Sequence, residues 1–429
     1  MKQDFDESAK VGVLFAPTES SQTPQLHNKP ALFAVLALPY AFTTSVTVLL
    51  MPYLLRKYGI SVDQIAKVVV IATLPSIWSF FWSPLADLGL RRRSWVVFSA
   101  LGAGLAGGAA IPGIHGSHVL LTALLFLMNT FAGLLGSACG ALLTAMPVAL
   151  RGRSAGWYQA GNTGGAAIGG GLFIWLADHA SLAVIAVVIV AAMLSPVFAA
   201  FLIQEPLPVR RAIRPKIIGL VHDMGEIFQS RRTWIGLVFL LSPVGSAAIG
   251  NLISGMGPDY HASGNEVLWV TGIVGGLFSA LGCLIGGLVA DKIGRMFAYA
   301  LAGGMAALFG VYLGFAHATP FTYAMGYSGY SVAAGFAYAV FTAMVLDILG
   351  RRKHAAASGY TVLCSAGNLP IVYMTWLDGL GYRHWGARGL MATDAAANGG
   401  FGILLLLVAI FLGRHWNHLS QENGRNSSG

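Results

Sequence analysis

Twelve long apolar stretches constrain the fold of this chain more than any other feature. Each has roughly the 20 mostly apolar residues that a helix needs to cross a bilayer. Because backbone polar groups in lipid must be satisfied within the protein, the stretches predict an all-α integral membrane protein with twelve transmembrane helices. They lie at residues 32–55, 64–86, 95–114, 119–146, 155–177, 181–203, 233–256, 267–290, 297–316, 321–347, 356–377 and 399–416.

The composition excludes an ordinary soluble protein. Hydrophobic residues make up 56% of the 429 residues and charged residues 10%, whereas soluble domains average about 25% charged residues. The 55 glycines suit helices that pack closely inside a bilayer. The three cysteines lie in apolar stretches without ligand spacing, so we expect no metal, no cofactor and no disulfide framework.

The distribution of basic residues predicts the orientation. Of the 26 Lys and Arg residues, only Arg56, Lys57, Lys67, Arg383 and Arg388 fall on the side opposite the termini. By the positive-inside rule, both termini should be cytoplasmic, and we expect a multi-pass protein of a bacterial inner membrane. This distribution also explains the net charge of +9, so no nucleic-acid partner is expected.

Weak internal repetition divides the chain into two halves. Pro39 and Pro243, like Asp87 and Asp291, recur 204 residues apart, and Ala-Gly-Asn occurs at both 160–162 and 366–368. We therefore predict two pseudo-symmetric six-helix bundles, the plan of many alternating-access transporters. The predicted parts are a cytoplasmic tail (1–30), a first bundle (31–204), a linker (205–232), a second bundle (233–417) and a second cytoplasmic tail (418–429).

A motif after the eighth stretch resembles the signature of the major facilitator superfamily. Gly287-Leu-Val-Ala-Asp291-Lys-Ile-Gly-Arg295 matches the pattern G-x-x-x-D-R/K-x-G-R, and a degenerate copy, from Ser83 to Arg93, follows the second stretch. The resemblance implies the major facilitator fold. It also implies a secondary active transporter, expected to be a monomer, that moves a small polar organic solute by alternating access.

The same motif implies a conformational latch formed by Asp87, Arg91, Asp291 and Arg295. A carboxylate at the inner end of one helix can accept hydrogen bonds from the free N–H groups at the start of another. In the superfamily, the aspartate after the second helix meets the start of the eleventh, and the aspartate after the eighth helix meets the start of the fifth. The alternative is that these residues only mark the membrane interface.

Further motifs resemble one branch of the superfamily, the muropeptide permeases and acetyl-coenzyme A transporters. They are residues 82–87 with the following arginine triplet, residues 170–178, and Glu205-Pro206. This resemblance implies conjugates of those types as substrates. The alternatives are a siderophore permease of the same superfamily and a transporter-fold sensor without flux. No nucleotide-binding or hydrolase motif occurs, so an enzyme is not expected.

Polar side chains inside the apolar stretches are the candidate substrate-binding residues. In the superfamily, helices 1, 4, 7 and 10 line the cavity and helices 2, 5, 8 and 11 flank it. Tyrosines and amides suit a ring-bearing polar solute. For each residue, the alternative is a hydrogen bond between helices, with an average strength of about 0.6 kcal/mol. The candidates are Tyr40, Thr44, Asn129, Gln159, Asn162, Asn251, Tyr327, Tyr330 and Asn368.

The positions of the charged residues in the sequence give no indication of ion coupling. No Asp, Glu, Lys, Arg or His lies deep in a predicted span, whereas proton-driven carriers usually bury a titratable group. A coupling ion such as a proton is therefore left open. Asp63 and Lys67 are spaced to form an ion pair at the outer end of the second helix. The expected partners are the solute and the lipid bilayer.

Overall fold

Helices dominate the part of the chain that the computed structural model describes, which is residues 29–78, 91–145, 148–203, 229, 231–349 and 356–425. The predicted N-terminal tail and linker lie almost entirely outside these ranges, whereas the last helix continues to residue 425, into the predicted C-terminal tail. The first six helices are α1 (Leu32–Lys57), α2 (62–76), α3 (Arg92–Ile114), α4 (His118–Ala145), α5 (Val148–His179) and α6 (Leu182–Leu202). The next six are α7 (231–260), α8 (264–293), α9 (Arg295–Phe315), α10 (Pro320–Leu349), α11 (356–384) and α12 (387–425).

These helices correspond in order to the twelve predicted spans. Within the described residues, eight helical stretches are long and apolar enough to cross a membrane, and one of them, Val362–Phe411, contains most of both α11 and α12. Short polar connections begin several helices. Ser181 caps α6 by accepting a hydrogen bond from the Val184 amide, and Ser263 forms a capping box with Glu266 at the start of α8.

The boundary between α11 and α12 differs from the prediction. The sequence predicted spans at 356–377 and 399–416, with an external loop between them. The structure instead continues α11 to residue 384 and begins α12 at 387, with the break at Trp385 (φ −136°) and Gly386 (φ +62°). The charged and glycine-rich composition of 378–398 hid the helices, because hydropathy alone does not register charges that are buried against other helices.

Helix α7 is interrupted in the middle of its predicted span. Regular helix ends at Leu240, and 3-10 turns resume at Ala248–Asn251 and Ile253–Tyr260. Between them, Gly245 has φ +81° and Ala247 has φ +52°. Pro243 contributes to this break, because proline cannot donate a helical hydrogen bond. Irregular backbone at this depth is tolerated only where it is packed in protein or lines a cavity.

Among the described residues, the hydrophobic core that the two halves share lies at one end of the bundle. We call the end that holds Lys57, Asp178 and Asp259 the outer end, following the predicted orientation, and the opposite end the inner end. At the outer end, Met51 of α1 and Met256 of α7 belong to the same buried cluster. Among the described residues, the clusters toward the inner end each contain residues from a single half.

Candidate functional site

A cavity of about 240 Å³ lies between the two halves. Residues of α1 and α5 line it from the first half, and residues of α7, α8 and α10 line it from the second. Small residues are part of its lining, namely Ala166 and Ala167 of α5 and Gly275 and Gly276 of α8. A site built from both halves can change its exposure when the halves move relative to each other.

The described lining residues of the cavity include several polar groups but no charged one. Four predicted binding residues line it, namely Thr44, Asn251, Tyr327 and Tyr330. The sequence analysis missed several hydroxyl groups there, because Ser and Thr are also common where helices pack against each other. The further polar lining residues are Ser45, Thr163, Thr271, Ser279, Ser331 and Tyr338.

The break in α7 positions the single amide of this lining. Ala247, Gly250 and Asn251 line the cavity directly after the irregular segment. The Asn251 amide nitrogen donates a hydrogen bond to Thr375 Oγ1 of α11 at 2.9 Å. This bond orients the side chain, whose carbonyl oxygen is an acceptor for a solute hydroxyl or amine.

Two predicted amides bond to other helices and are not among the described lining residues. Asn129 Nδ2 of α4 donates to Thr47 Oγ1 of α1 at 3.0 Å and to the Leu125 carbonyl. Asn368 Nδ2 of α11 donates to the Ser76 carbonyl of α2 at 3.0 Å. Both are hydrogen bonds within the helix bundle, so a binding role for either residue stays a prediction.

The remaining predicted binding residues lie in the first half. Tyr40 is half-buried, and its ring lies against Gly136 of α4. Asn162 is half-buried in α5 next to Thr163, which lines the cavity. The side chain of Gln159 lies outside the described part of the structure.

The predicted latch is only partly described. Asp87, the side chain of Asp291 and the side chains at the starts of α5 and α11 lie outside the described residues. Arg91 directly precedes α3 and is exposed. Arg295 Nη1 donates a hydrogen bond to the Ala343 carbonyl of α10 at 2.9 Å, which joins two helices of the second half. The latch therefore stays a prediction.

A cluster of three polar side chains closes the outer end, and we call it the outer ion-pair cluster. Arg56 Nη2 lies 3.0 Å from Asp259 Oδ1 and donates to the Tyr382 hydroxyl at 2.9 Å. The Tyr382 hydroxyl donates to Asp259 at 3.0 Å. Because Arg56 belongs to the first half and its two partners to the second, the cluster joins the halves above the cavity.

Nearby contacts seal the same end. Ser254 Oγ of α7 donates to the Leu49 carbonyl of α1 at 2.8 Å and is fully buried. Lys57 Nζ lies 2.8 Å from Asp178 Oδ1 of α5. The predicted pair of Asp63 and Lys67 is present at 3.9 Å within α2. The outer end is therefore closed by both apolar and charged contacts.

The structure also contains two buried aspartates that the sequence analysis missed. The expectation that no titratable side chain is buried in the membrane helices is wrong, because Asp378 and Asp394 lie in α11 and α12 and are inaccessible to solvent. The sequence predicts an external loop at both positions. The apolar residues Leu390, Met391 and Ala395 continue a helical spacing through that segment, and all three are buried. This spacing was the available signal.

A bundle of apolar helices with a polar cavity between two halves, closed at one end, defines a membrane carrier. The sequence model of the Major Facilitator Superfamily matches residues 33–372, and the chain belongs to this superfamily. It is a transporter and not an enzyme. The predicted fold of two six-helix bundles in a multi-pass membrane protein is confirmed.

Solved transporters have the same fold at low sequence identity. A D-xylose-proton symporter is 12% identical with a TM-score of 0.70, covering 88% of this chain and 96% of its own. The nucleoside transporter NupG is 13% identical with a TM-score of 0.66, covering 89% and 98%. The inward-open xylose transporter XylE from E. coli is 13% identical with a TM-score of 0.64, covering 88% and 94%. No curated protein sequence matches the chain.

Proposed function

We propose that this transporter moves a small, neutral, polyhydroxylated solute, of monosaccharide or nucleoside size, by alternating access. The observation that carries the proposal is the uncharged cavity between the halves, with its hydroxyls, its tyrosines and the Asn251 amide. Hydroxyl and amide groups bond a neutral polar solute, and the Tyr327 and Tyr330 rings offer faces to a sugar or base.

The size of the cavity supports a small solute. Its volume of about 240 Å³ lies below the ~300–1,000 Å³ that is usual for ligand pockets. The muropeptide- or acetyl-coenzyme A-type conjugates suggested by the sequence motifs are larger than a monosaccharide or nucleoside and carry charges. The same is true of many siderophores. The sugar and nucleoside transporters with the same fold agree with the smaller class.

The proposed transporter resides in a bacterial inner membrane as a monomer, with both termini cytoplasmic. The distribution of Lys and Arg supports this orientation. In this orientation, the cavity in the described state is closed toward the outside by the outer ion-pair cluster. Solute would enter from outside when the cluster opens, and would leave toward the cytoplasm.

Flux of defined solutes in proteoliposomes tests the proposal. Purified protein is reconstituted, and uptake of radiolabelled D-xylose and uridine is measured, with N-acetylmuramyl tripeptide and acetyl-coenzyme A as the larger alternatives. We expect saturable uptake of one small solute and no uptake of the two large ones. Binding without flux would instead support the sensor alternative, and uptake of a conjugate would overturn the proposed size class.

A pair of tryptophan substitutions ties the flux to the cavity. Thr44→Trp places an indole inside the cavity, so we expect uptake to be lost. Leu308→Trp is the matched control, because Leu308 of α9 is 64% exposed and is not among the described lining residues of the cavity. Both variants should reach the membrane. Equal uptake by both would show that solute does not pass through this cavity.

A further inference from the structure

Two buried carboxyls lie side by side between α11 and α12. Asp378 and Asp394 are both 0% exposed. Among the described residues, three of the four carboxyl oxygens have no hydrogen-bond partner. They are both oxygens of Asp378 and Oδ2 of Asp394. Helices α11 and α12 touch beside the two carboxyls, because a Cβ atom on Gly381 would meet the Thr393 side chain. An ionised carboxylate in such a place is destabilised unless a positive charge or several donors surround it.

The described surroundings provide two side-chain donors near Asp394 and no positive charge at the pair. The Asn398 amide donates to the Asp394 backbone carbonyl at 3.0 Å and lies beside its carboxyl. The Tyr330 hydroxyl of α10 donates to Asp394 Oδ1 at 3.2 Å. Helix α2 carries Asp63 and Lys67, which pair with each other at the outer end. Helix α9 carries Arg295, which bonds to α10.

Other described titratable side chains of the packed helices line the cavity, are engaged elsewhere or are exposed. Tyr327 and Tyr338 of α10 line the cavity. Tyr299 of α9 donates to the Val244 carbonyl, and Tyr373 of α11 donates to the Leu241 carbonyl. Tyr323 of α10 donates to the Ile253 carbonyl. Asp259 of α7 and Tyr382 of α11 form the outer ion-pair cluster. The exposed ones are Tyr312, Arg383, His384 and Arg388.

We infer that Asp378 and Asp394 form a proton-binding site that holds one shared proton in the outer-closed state and couples proton movement to solute transport. Two adjacent carboxylates without a counter-charge cannot both ionise easily, so one proton between them removes the repulsion. A bound proton also gives the unpartnered oxygens a donor. The coupling part of this inference rests on the proposed transport function, whereas the proton site itself does not.

Tyr330 connects the carboxyl pair to the cavity. Its side chain lines the cavity, and its hydroxyl bonds to Asp394. Ala247 and Asn251 of the interrupted helix α7 line the same cavity. When solute binds beside Asn251 and Tyr330, a shift of α10 changes the bond to Asp394. Tyr330 is thus a positioning residue for the pair.

The proposed step moves one proton and changes only O–H bonds. A carboxylate oxygen of the pair takes a proton from water on the outer side when the outer ion-pair cluster is open. After closure, the proton leaves to water that enters from the inner side, and the carboxylate is restored. Solute and proton then move in the same direction, because the carrier changes its exposure readily only when it holds both of them or neither.

Infrared spectroscopy tests the site without any solute. Full-length protein with ¹³C-labelled aspartate, reconstituted in lipid, is titrated from about pH 5 to about pH 9, a range in which ordinary exposed carboxyls stay ionised. We expect the carbonyl stretch of a protonated aspartic acid, disappearing as the pH rises. Asp378→Asn with Asp394→Asn should remove the band, and Asp63→Asn should keep it. Absence of the band from the wild-type protein would overturn the site.

A sodium ion is the competing occupant of the carboxyl pair. The same samples show whether sodium or a proton binds there. For a proton site, sodium chloride and choline chloride at equal ionic strength should give the same band and the same melting temperature. A sodium-specific loss of the band, together with a rise in melting temperature, would replace the proton by a metal cation and overturn the inference.

Transport measurements test the coupling. Radiolabelled D-xylose and uridine are offered to proteoliposomes with an imposed pH gradient and, separately, for exchange at equal pH on both sides. Asp394→Asn should lower gradient-driven accumulation about tenfold and change exchange less than about twofold. Asp63→Asn should leave both unchanged, and Tyr330→Phe should shift the pH at which accumulation is half-maximal.

The two arms separate the failure of this inference from that of the proposed function. If wild-type protein moves neither probe, the proposed function fails, and the infrared titration still decides whether the pair binds a proton. If the probe is transported but Asp394→Asn accumulates it as wild-type protein does, the coupling is wrong. A poorly folded Asp378→Asn would not affect either decision, because the wild-type titration and Asp394→Asn remain.

Discussion

At the residue scale, the amide side chains show what a sequence can and cannot assign. Asn129, Asn251 and Asn368 look alike in the sequence, since each is a lone amide in an apolar stretch. Only Asn251 is among the described lining residues of the cavity, and the break in α7 places it there. A hydropathy pattern gives the depth of a residue in the membrane but not the rotation of its helix. The cavity-lining residues therefore had to come from the packing.

Substitution of two of these amides should separate binding from packing. Asn251→Ala removes an amide that faces the cavity, which should cost about 1–3 kcal/mol of solute binding and raise the KM of uptake about tenfold. Asn368→Ala is the matched control, because its amide bonds to the Ser76 carbonyl of α2. We expect it to lower the melting temperature while the KM holds. Uptake kinetics and thermal unfolding of both variants distinguish the two roles. A raised KM with an unchanged melting temperature for Asn368→Ala would place Asn368 in the binding site.

At the element scale, the apolar stretches predicted all twelve helices, and the errors arose where buried charge or irregular backbone interrupts the pattern. Residues 378–398 looked like a loop because Asp378 and Asp394 lower the hydropathy there. Pro243 indicated a special position in α7 but not the left-handed backbone of Ala247 (φ +52°). Both features depend on contacts between distant helices. Local composition therefore could not reveal them.

The seam between α5 and α8 is a second element-scale feature. A Cβ atom on Gly272 would lie 2.9 Å from the backbone nitrogen of Gly171, so the two helices touch through glycine. Gly272→Ala should separate them and destabilise the protein by about 1–3 kcal/mol. Gly287→Ala in the same helix is the control, because its new methyl group would meet nothing within 4 Å. The melting temperature and the uptake rate should both fall for Gly272→Ala and hold for Gly287→Ala. Equal values for the two variants would show that the close contact between α5 and α8 is not needed.

At the scale of the whole molecule, the contacts between halves define one state of a transport cycle. The halves share a buried apolar cluster at the outer end, and the outer ion-pair cluster of Arg56, Asp259 and Tyr382 lies beside it. Toward the inner end, the described clusters stay within one half each. The described state is therefore closed on the outer side. The stability of this state relative to an outer-open state depends on these contacts, because they join the two halves.

Loosening the outer ion-pair cluster should shift this balance toward the outer-open state. Arg56→Gln removes an ion pair whose two side chains are 23% and 18% exposed, worth about 1 kcal/mol at such a site, which corresponds to a roughly fivefold change in population. The readout is a cysteine at Gly250 in a variant without Cys139, Cys283 and Cys364. A Cβ atom there fits at 3.5 Å from the Tyr327 hydroxyl.

A membrane-impermeant maleimide applied from outside reaches this cysteine only while the outer end is open. We expect Arg56→Gln to raise its labelling rate about fivefold. Lys67→Gln is the matched control, because its partner Asp63 lies in the same helix and the pair does not join the halves. Tyr382→Phe should give a smaller increase, since it removes hydrogen bonds and leaves the ion pair. If Lys67→Gln raised labelling as much as Arg56→Gln, general loosening of the protein would explain the result, and the outer ion-pair cluster would have no specific role in closing the carrier.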